Sequence, residues 1–411
     1  MMVEELNRGQ HLVRQVRSEA MRLLNYWHRD VLRDDGSFYG VVDARGRIQE
    51  DAPLSLILAT RLLWTFSRAM NSGLVASDQY QKEVDGLYRY LVDTFFDPES
   101  LGFYWMVDVN GVAIYPHKHI YGQAFSVYAL AEYYAASGHL EALRYAQLTY
   151  EVIEAVAADP RHGGYLESFN QAFEFDASSR LSSINRGAAK TMNTHLHLLE
   201  AFTRLFQIWP NPTLKARLTD LLDLMVNKVV DPVTFHFHGF FDQQWRPQSR
   251  EASYGHDIEG SWLMVEAAHA LKDTARLKAV QALCLNMVEA VWNEGADEMH
   301  GLMNEGIEGR ITDDGFDWWP QAEALVGLIN AYQVSGKAQY LERAYGVWEF
   351  IDGYVINRQQ GEWHARLGKD HQPKESNLVD AWKCPYHNTR ACLEVMQRLG
   401  SKPGPGGAVD E

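Results

Sequence analysis

The chain has 411 residues, 46% of them hydrophobic, and carries 38 Lys and Arg against 54 Asp and Glu, a net charge of −16. That apolar fraction supports a large core and excludes wholesale disorder. The acidic balance repels phosphate backbones and anionic lipid, so nucleic acid and membrane are unfavourable partners and a small neutral molecule is the expected one.

Along the chain one unit returns six times: an amphipathic helix, a short run of glycine and aromatic residues around a turn, then a more apolar helix. The first copy is a helix over 11–32, "GSFYGVVDARGRI" from Gly36, and an apolar helix over 54–70. The second is 80–96, "GFYWMVDVNGVAI" from Gly102, and 120–136; in its first helix Leu87, Tyr90, Leu91 and Phe95 keep one face while Lys82, Asp85 and Arg89 take the other. The third is 141–158, "GGYLESFNQAFEF" from Gly163, and 192–206; the fourth is 213–230, "HFHGFFDQQWRPQ" from His236, and 258–271. The fifth is 277–292, "GLMNEGIEGRITD" from Gly301, and 318–333; the sixth is 339–356, "GEWHARLGKDHQP" from Gly361, and 386–399. Alternation about a turn reads as a hairpin, each too short to stand alone as a sheet.

Six helix pairs predict an all-α fold, an (α/α)6 barrel of twelve helices with the apolar set inside and the short β-hairpin loops at one mouth. An open stack of the same pairs would need polar end caps, and none is seen. Residues 1–400 read as a single domain and 401–411, "SKPGPGGAVDE", as a flexible tail. The three cysteines, Cys284, Cys384 and Cys392, are too few and too odd for a disulfide framework. With a charged helical start and no apolar run near ~18 residues, they predict a cytoplasmic protein, monomeric or homodimeric.

Polar groups gather at the hairpin-side start of each inner helix: Arg61; His117, His119, Tyr121 and Gln123; Asn193, His195 and His197; His256, Asp257 and Glu259; Trp318, Trp319, Gln321 and Glu323; Trp382, His387, Asn388 and Arg390. If the six starts ring one mouth, these groups converge on one pocket. Asn193 and His197 share a helix face, whereas His195 points about 200° away from His197, so His197 is expected in the cavity and His195 in the wall. Several imidazoles with an arginine, tryptophans and no evident nucleophile fit proton abstraction beside a carbonyl. The tryptophans suit sugar faces.

At "KTMNTHLHLLEA", "YGHDIEGSWLMVEA", "WWPQAEALVG" and "WKCPYHNTRACLEV" the chain resembles the N-acylglucosamine 2-epimerase superfamily, with the cellobiose 2-epimerases nearest in pattern, from about residue 15 to residue 400. The resemblance implies cofactor-independent epimerisation at C2 of a reducing-end glucose or mannose unit, with no metal. It implies His256 and His387 as the acid/base pair, His197 as a third essential histidine and Arg61 at the reacting oxygens. It implies Tyr121, Asn193, Glu259, Trp319 and Trp382 as sugar contacts; Glu323 joins them from its place beside Trp319. One departure stands out: Asn185 in "SSINRGAAKTMN" occupies a position where an aspartate is expected, which favours a free monosaccharide, D-mannose or D-glucose, as the rival substrate. The rival chemistries are glycoside hydrolysis by Asp257, Glu259 or Glu323, a zinc site built on His-x-His, and non-catalytic sugar binding.

Overall fold

The computed structural model describes residues 2–176 and 188–400, with side chains from Arg8; Asn185 and the 401–411 tail lie outside the described residues. The helices in chain order are α1 (Met2–Tyr26), α2 (Leu56–Asn71), α3 (Gln81–Tyr90), α4 (Ile120–Ser137), α5 (Leu140–Val156) and α6 (Met192–Ile208), then α7 (Pro212–Leu224), α8 (Tyr254–Leu271), α9 (Thr274–Gly295), α10 (Trp318–Ser335), α11 (Ala338–Phe350) and α12 (Tyr386–Gly400). Four outer helices end in a widened π turn, Trp27–Val31 after α1, Leu91–Phe95 after α3, Met225–Val229 after α7 and Ile351–Val355 after α11. Each places two apolar side chains inward just before the chain turns into its hairpin.

The even-numbered helices form the inner ring. Each packs on the next, α2 on α4, α4 on α6, α6 on α8, α8 on α10 and α10 on α12, and α12 returns to α2. The barrel is therefore closed. α4 shows why this set lies inside: every residue from Ile120 to Tyr133 is buried, and a helix apolar all round has no face to give to water. The outer helices cover the seams, with α1 against α12, α5 against α4, α9 against α8 and α11 against α10. Among the described residues no helix is long and apolar enough to cross a membrane.

The six hairpins form a continuous crown at one mouth. Each begins with one bridge back to the end of its own outer helix: Leu32 to Phe38, Phe96 to Phe103, Ala158 to Tyr165, Val230 to Phe237, Ala296 to Leu302 and Ile356 to Trp363. The two or three residues entering each inner helix then pair with the following repeat's hairpin. Leu54–Ser55 pairs with Met106–Val107, Lys118–His119 with Ser168–Phe169 and Lys190–Thr191 with Phe240–Phe241. Glu251–Ser253 pairs with Glu305–Ile307, and Phe316–Asp317 with Arg366–Leu367. A Val42–Val379 bridge joins the last repeat to the first. Inner-helix starts are thus fixed by backbone hydrogen bonds before any side chain contributes. α8 starts at Tyr254, four residues ahead of the apolar pattern at 258, because the polar pair His256–Asp257 in its first turn hides the periodicity.

Candidate active site

The polar groups at the inner-helix starts divide into two sets. One set faces outward and fastens the hairpins. Gln123 Oε1 accepts from the Phe103 amide at 2.8 Å while its Nε2 donates to the Phe103 carbonyl. Gln321 does the same with Leu302. Asp257 accepts from the Phe237 amide at 2.8 Å and from His236 Nδ1 at 2.7 Å. His195 Nε2 accepts from the Tyr165 amide at 2.9 Å, and its Nδ1–H donates to the Thr191 carbonyl at 2.7 Å. Asn388 closes the series by donating to Glu362, which accepts from the Trp363 amide. In each of these five repeats the residue satisfied is the one bridged to the outer helix, so an otherwise buried, unpaired amide finds its acceptor. His195 therefore braces the wall, as its helical phase predicts.

The other set faces the bowl. His197, two residues on, donates from Nδ1 to Glu200 Oε2 at 2.9 Å and stands edge-on to Tyr121 at 5.1 Å. Arg61 Nη2 donates to Tyr121 Oη at 2.9 Å. Its guanidinium lies over the rings of Phe125 (4.4 Å) and Tyr386 (4.9 Å), and its Nε–H has no hydrogen-bond partner among the described residues. His256 Nδ1 bonds Ser253 Oγ at 2.8 Å. His387 Nδ1 donates to Glu323 Oε1 at 2.7 Å. Both imidazoles contact the same indole, Trp319, with centroids 4.6 Å and 5.6 Å away. α10 lies between α8 and α12 in the ring, so its Trp319 is within reach of a histidine from each neighbour. Each has its Nδ1 committed to a partner, which leaves Nε2 for chemistry. Burial, then the charge of His197, pushes His256 down to about 3. Burial, then Arg61 and Arg390, holds His387 well below its ordinary value. Both are neutral bases at neutral pH.

Beneath them Arg390, 1% exposed, bonds three carboxylates at once. Nη2 donates to Glu259 Oε1 at 2.5 Å and Glu323 Oε1 at 2.7 Å, and Nη1 to Glu200 and to Tyr386 Oη. Burial and the neighbouring Glu323 charge push Glu259 up to about 7 against the pull of Arg390. Burial works the same way on Glu200, but Arg390, with help from His197 and Tyr386, overcomes it and brings that carboxyl down to about 2. Ligand atoms of Glu259, Glu323 and His387 come within 4.8 Å of one another, the tightest metal-like grouping among the described residues. Arg390 is hydrogen-bonded to both carboxylates and supplies the cation there.

The sequence-predicted residues sort as follows. Arg61, Tyr121, His197, Glu259, Glu323 and His387 are buried around one floor, and His256, Trp319, Asn193 and Trp382 are half-buried above it. Asn193 presents an Oδ1 with no partner among the described residues. Trp382 lies 5.8 Å from Tyr121 and 6.1 Å from Trp105, ring to ring. Glu323 departs from the sugar-contact expectation, since Oε1 is taken by His387 and Arg390 and Oε2 accepts from Trp262 Nε1 at 3.0 Å. Its geometry is that of a group orienting His387. His117 and His119 belong to the rim: His119 bonds Ser168 and lies edge-on to Trp105, and His117 sits 3.7 Å from Asp176. Three participants escaped the sequence reading. Glu200 carried a signal in its i+3 spacing from His197. Tyr386 and Trp105 carried none, because one reads as core and the other as hairpin.

Residues 36–391 match the family model described as N-acylglucosamine 2-epimerase (GlcNAc 2-epimerase). A cellobiose 2-epimerase from Dictyoglomus turgidum is 38% identical over 379 residues, covering 92% of this chain and 96% of that protein. The structure of cellobiose 2-epimerase from Bacillus thermoamylovorans superimposes with a TM-score of 0.90 at 35% identity, covering 95% of this chain and 100% of the other. A GH76 α-mannanase from Bacteroides thetaiotaomicron, at 11% identity and a TM-score of 0.65, shares the fold alone.

Proposed function

Since the chain belongs to the N-acylglucosamine 2-epimerase family and is a sugar 2-epimerase, we propose that it inverts C2 of a reducing-end glucose or mannose residue by a two-histidine proton shuttle, with a cellobiose-type β-1,4 disaccharide as substrate. The carrying observation is that His256 and His387, from two different inner helices, both contact the Trp319 ring and are both held neutral, with Arg61 close enough to His387 to lower it.

In this reading the sugar ring opens first, O5 gaining a proton and O1 losing one. We assign those oxygens to His197 and the Arg61–Tyr121 pair, which meet at Tyr121. One imidazole Nε2 then takes the C2 proton; the C–H electrons form C1=C2 and the carbonyl electrons move to O1. Arg61 faces the resulting cis-enediolate, a charge best opposed by a preorganised cation in a dry site. Rotation about C2–C3 presents the other face, and the second imidazole, made more basic by the adjacent oxyanion, takes up a proton from solvent at Nε2 and delivers it to C2; the C1=C2 electrons form the new C–H bond, the O1 electrons restore the carbonyl, and the first imidazolium returns its proton to solvent. General acid–base steps of this kind are worth roughly 10²–10⁴-fold. No step needs a cofactor.

The disaccharide preference rests on the similarity to cellobiose 2-epimerases and on the Trp382–Trp105 pair rising from the floor toward the mouth, two aromatic faces for a second sugar. Hydrolysis fits the geometry less well. Glu259 and Glu323 share one arginine, and both oxygens of Asp257 are spent on the Phe237 hairpin. Incubation in D2O with cellobiose, read by NMR, tests the proposal: deuterium should enter C2 and a mannose-configured reducing end should appear. Glucose release without C2 exchange would establish the hydrolase instead, and turnover of free mannose at an equal or higher rate would shift the substrate to the monosaccharide.

A further inference from the structure

Below the reacting residues the structure holds an ionic layer that the shuttle does not use directly. Glu200 is its pivot, with Oε2 on His197 and Oε1 on Tyr386 and Arg390. Arg390 carries the connection across the barrel axis to Glu323, whose Oε1 holds His387. An unbroken path of hydrogen bonds thus runs from His197 Nδ1 through Glu200, Arg390 and Glu323 to His387 Nδ1. The guanidinium that forms its centre lies over the rings of Tyr386 (4.3 Å) and Trp262 (4.8 Å). Removing one carboxylate from such an arrangement changes the charge felt by the others, because a buried site screens little.

We propose that Arg390 is a positioning residue that joins His197 and His387 into one electrostatic unit, so that a proton gained by either imidazole is felt by the other. The inference rests on the epimerase reading for its purpose. In a two-base shuttle one imidazole is the base and the other the acid, with the roles exchanged in the reverse direction, and His197, which assists ring opening, must not compete with His387 for the same proton. A single cation shared by the carboxylates behind His197 and His387 makes double protonation unfavourable: the second imidazolium would face Arg390, Arg61 and the first, against carboxylates already spent. The groups facing this unit come from all six inner helices. They are Arg61 on α2, Tyr121 on α4, Glu200 on α6, His256 and Glu259 on α8, Glu323 on α10, and Tyr386 with Arg390 on α12.

The test is made on the full-length, sugar-free protein labelled with ¹⁵N-histidine, so it reads the imidazoles whether or not the epimerase reading holds. Two variants separate coupling from simple support. Glu200→Gln touches His197 but not His387, and it should nonetheless displace the His387 ring-nitrogen resonances as well as those of His197. Arg390→Met should bring both imidazoles into titration at higher pH than in the parent. In a second arm kcat on the epimerised sugar should fall about 10–100-fold, as is typical when a group behind a functional side chain is lost, with the acid limb of kcat/KM moving upward and KM changing less than threefold. Movement confined to the directly contacted histidine, with the other unchanged, overturns the proposal. If Arg390→Met does not fold, Arg390→Lys and Glu200→Gln carry the same reading, and a melting-point loss without displacement of the remote imidazole counts against it. Failure of C2 exchange in the parent with the coupling intact would instead overturn the epimerase reading.

Discussion

His195 and His197 stand two residues apart on α6 and do opposite work, so substitution should separate stability from activity cleanly. His195→Leu strands the Tyr165 amide, which is buried and has His195 Nε2 as its acceptor at 2.9 Å. An orphaned buried donor costs about 1–3 kcal/mol, and that is the expected loss in urea unfolding at pH 7. His195→Gln should cost about 1 kcal/mol or less, because Gln123 and Gln321 already satisfy the equivalent amides in the second and fifth repeats; what it loses is the edge contact with Trp245 at 4.8 Å. The pH dependence provides a second readout. Burial brings folded His195 down to about 3, while in the unfolded chain it titrates near ~6.5. The unfolded state therefore binds the proton first. The parent's share of stability is complete above pH ~6.5 and is lost progressively as pH falls toward about 3. Between pH 7 and pH 5 that loss is about 2 kcal/mol at 1.36 kcal/mol per unit. The Gln variant has no such group, so its deficit at pH 7 should shrink and reverse by pH 5, with kcat within threefold of the parent throughout. His197→Gln should do the converse, losing at least about 10²-fold in kcat with unfolding changed by about 1 kcal/mol or less. A His195→Gln deficit that is the same at both pH values would show that His195 is not held neutral, and the wall assignment would fail with it.

Replacement of His256 or His387 by Ala should each lower kcat by about 10²–10⁴ and abolish C2 deuterium exchange; near-parental exchange in either variant removes that residue from the shuttle. Because both imidazoles are pushed below their ordinary value, the acid limb of kcat/KM on the epimerised sugar should lie below ~6.5. A limb at or above 6.5 contradicts the neutral-base assignment. Gly255→Ala would put a methyl 2.5 Å from the Trp319 indole, and displacing the ring that both bases contact should cost about tenfold or more in kcat/KM while the fold survives; unchanged kinetics would mean that Trp319 does not position them. Exhaustive chelation should leave turnover intact, since Arg390 already binds the carboxylates of the one close Glu–Glu–His grouping among the described residues. Activity that vanishes and returns with an added divalent ion would reverse that expectation.

How much of this was legible in the sequence follows from range. The sixfold alternation of amphipathic and apolar helices, the glycine–aromatic hairpins and the opposite phases of His195 and His197 are all set within about 20 residues by helical and strand periodicity, and the residues alone carried them. Even the convergence of Arg61, His197, His256 and His387 followed once the repeat was seen, because equivalent positions in a closed ring must meet. What the sequence could not supply was pairing across the axis. Gln123, Asp257 and Gln321 look like pocket residues on a line of text, yet they turn outward to hairpin amides, because a buried amide is a local demand that outranks a distant ligand. Glu323 reads as a sugar contact until His387, Arg390 and Trp262 are seen to claim its oxygens. Tyr386 and Arg390 acquire meaning from partners far off in the chain, Glu200 more than 180 residues away among them. Local pattern determined which elements form and which faces they bury; closure of the ring decided which buried charges would share one another's company, since electrostatic partnership depends on distance in space and leaves no period in the chain.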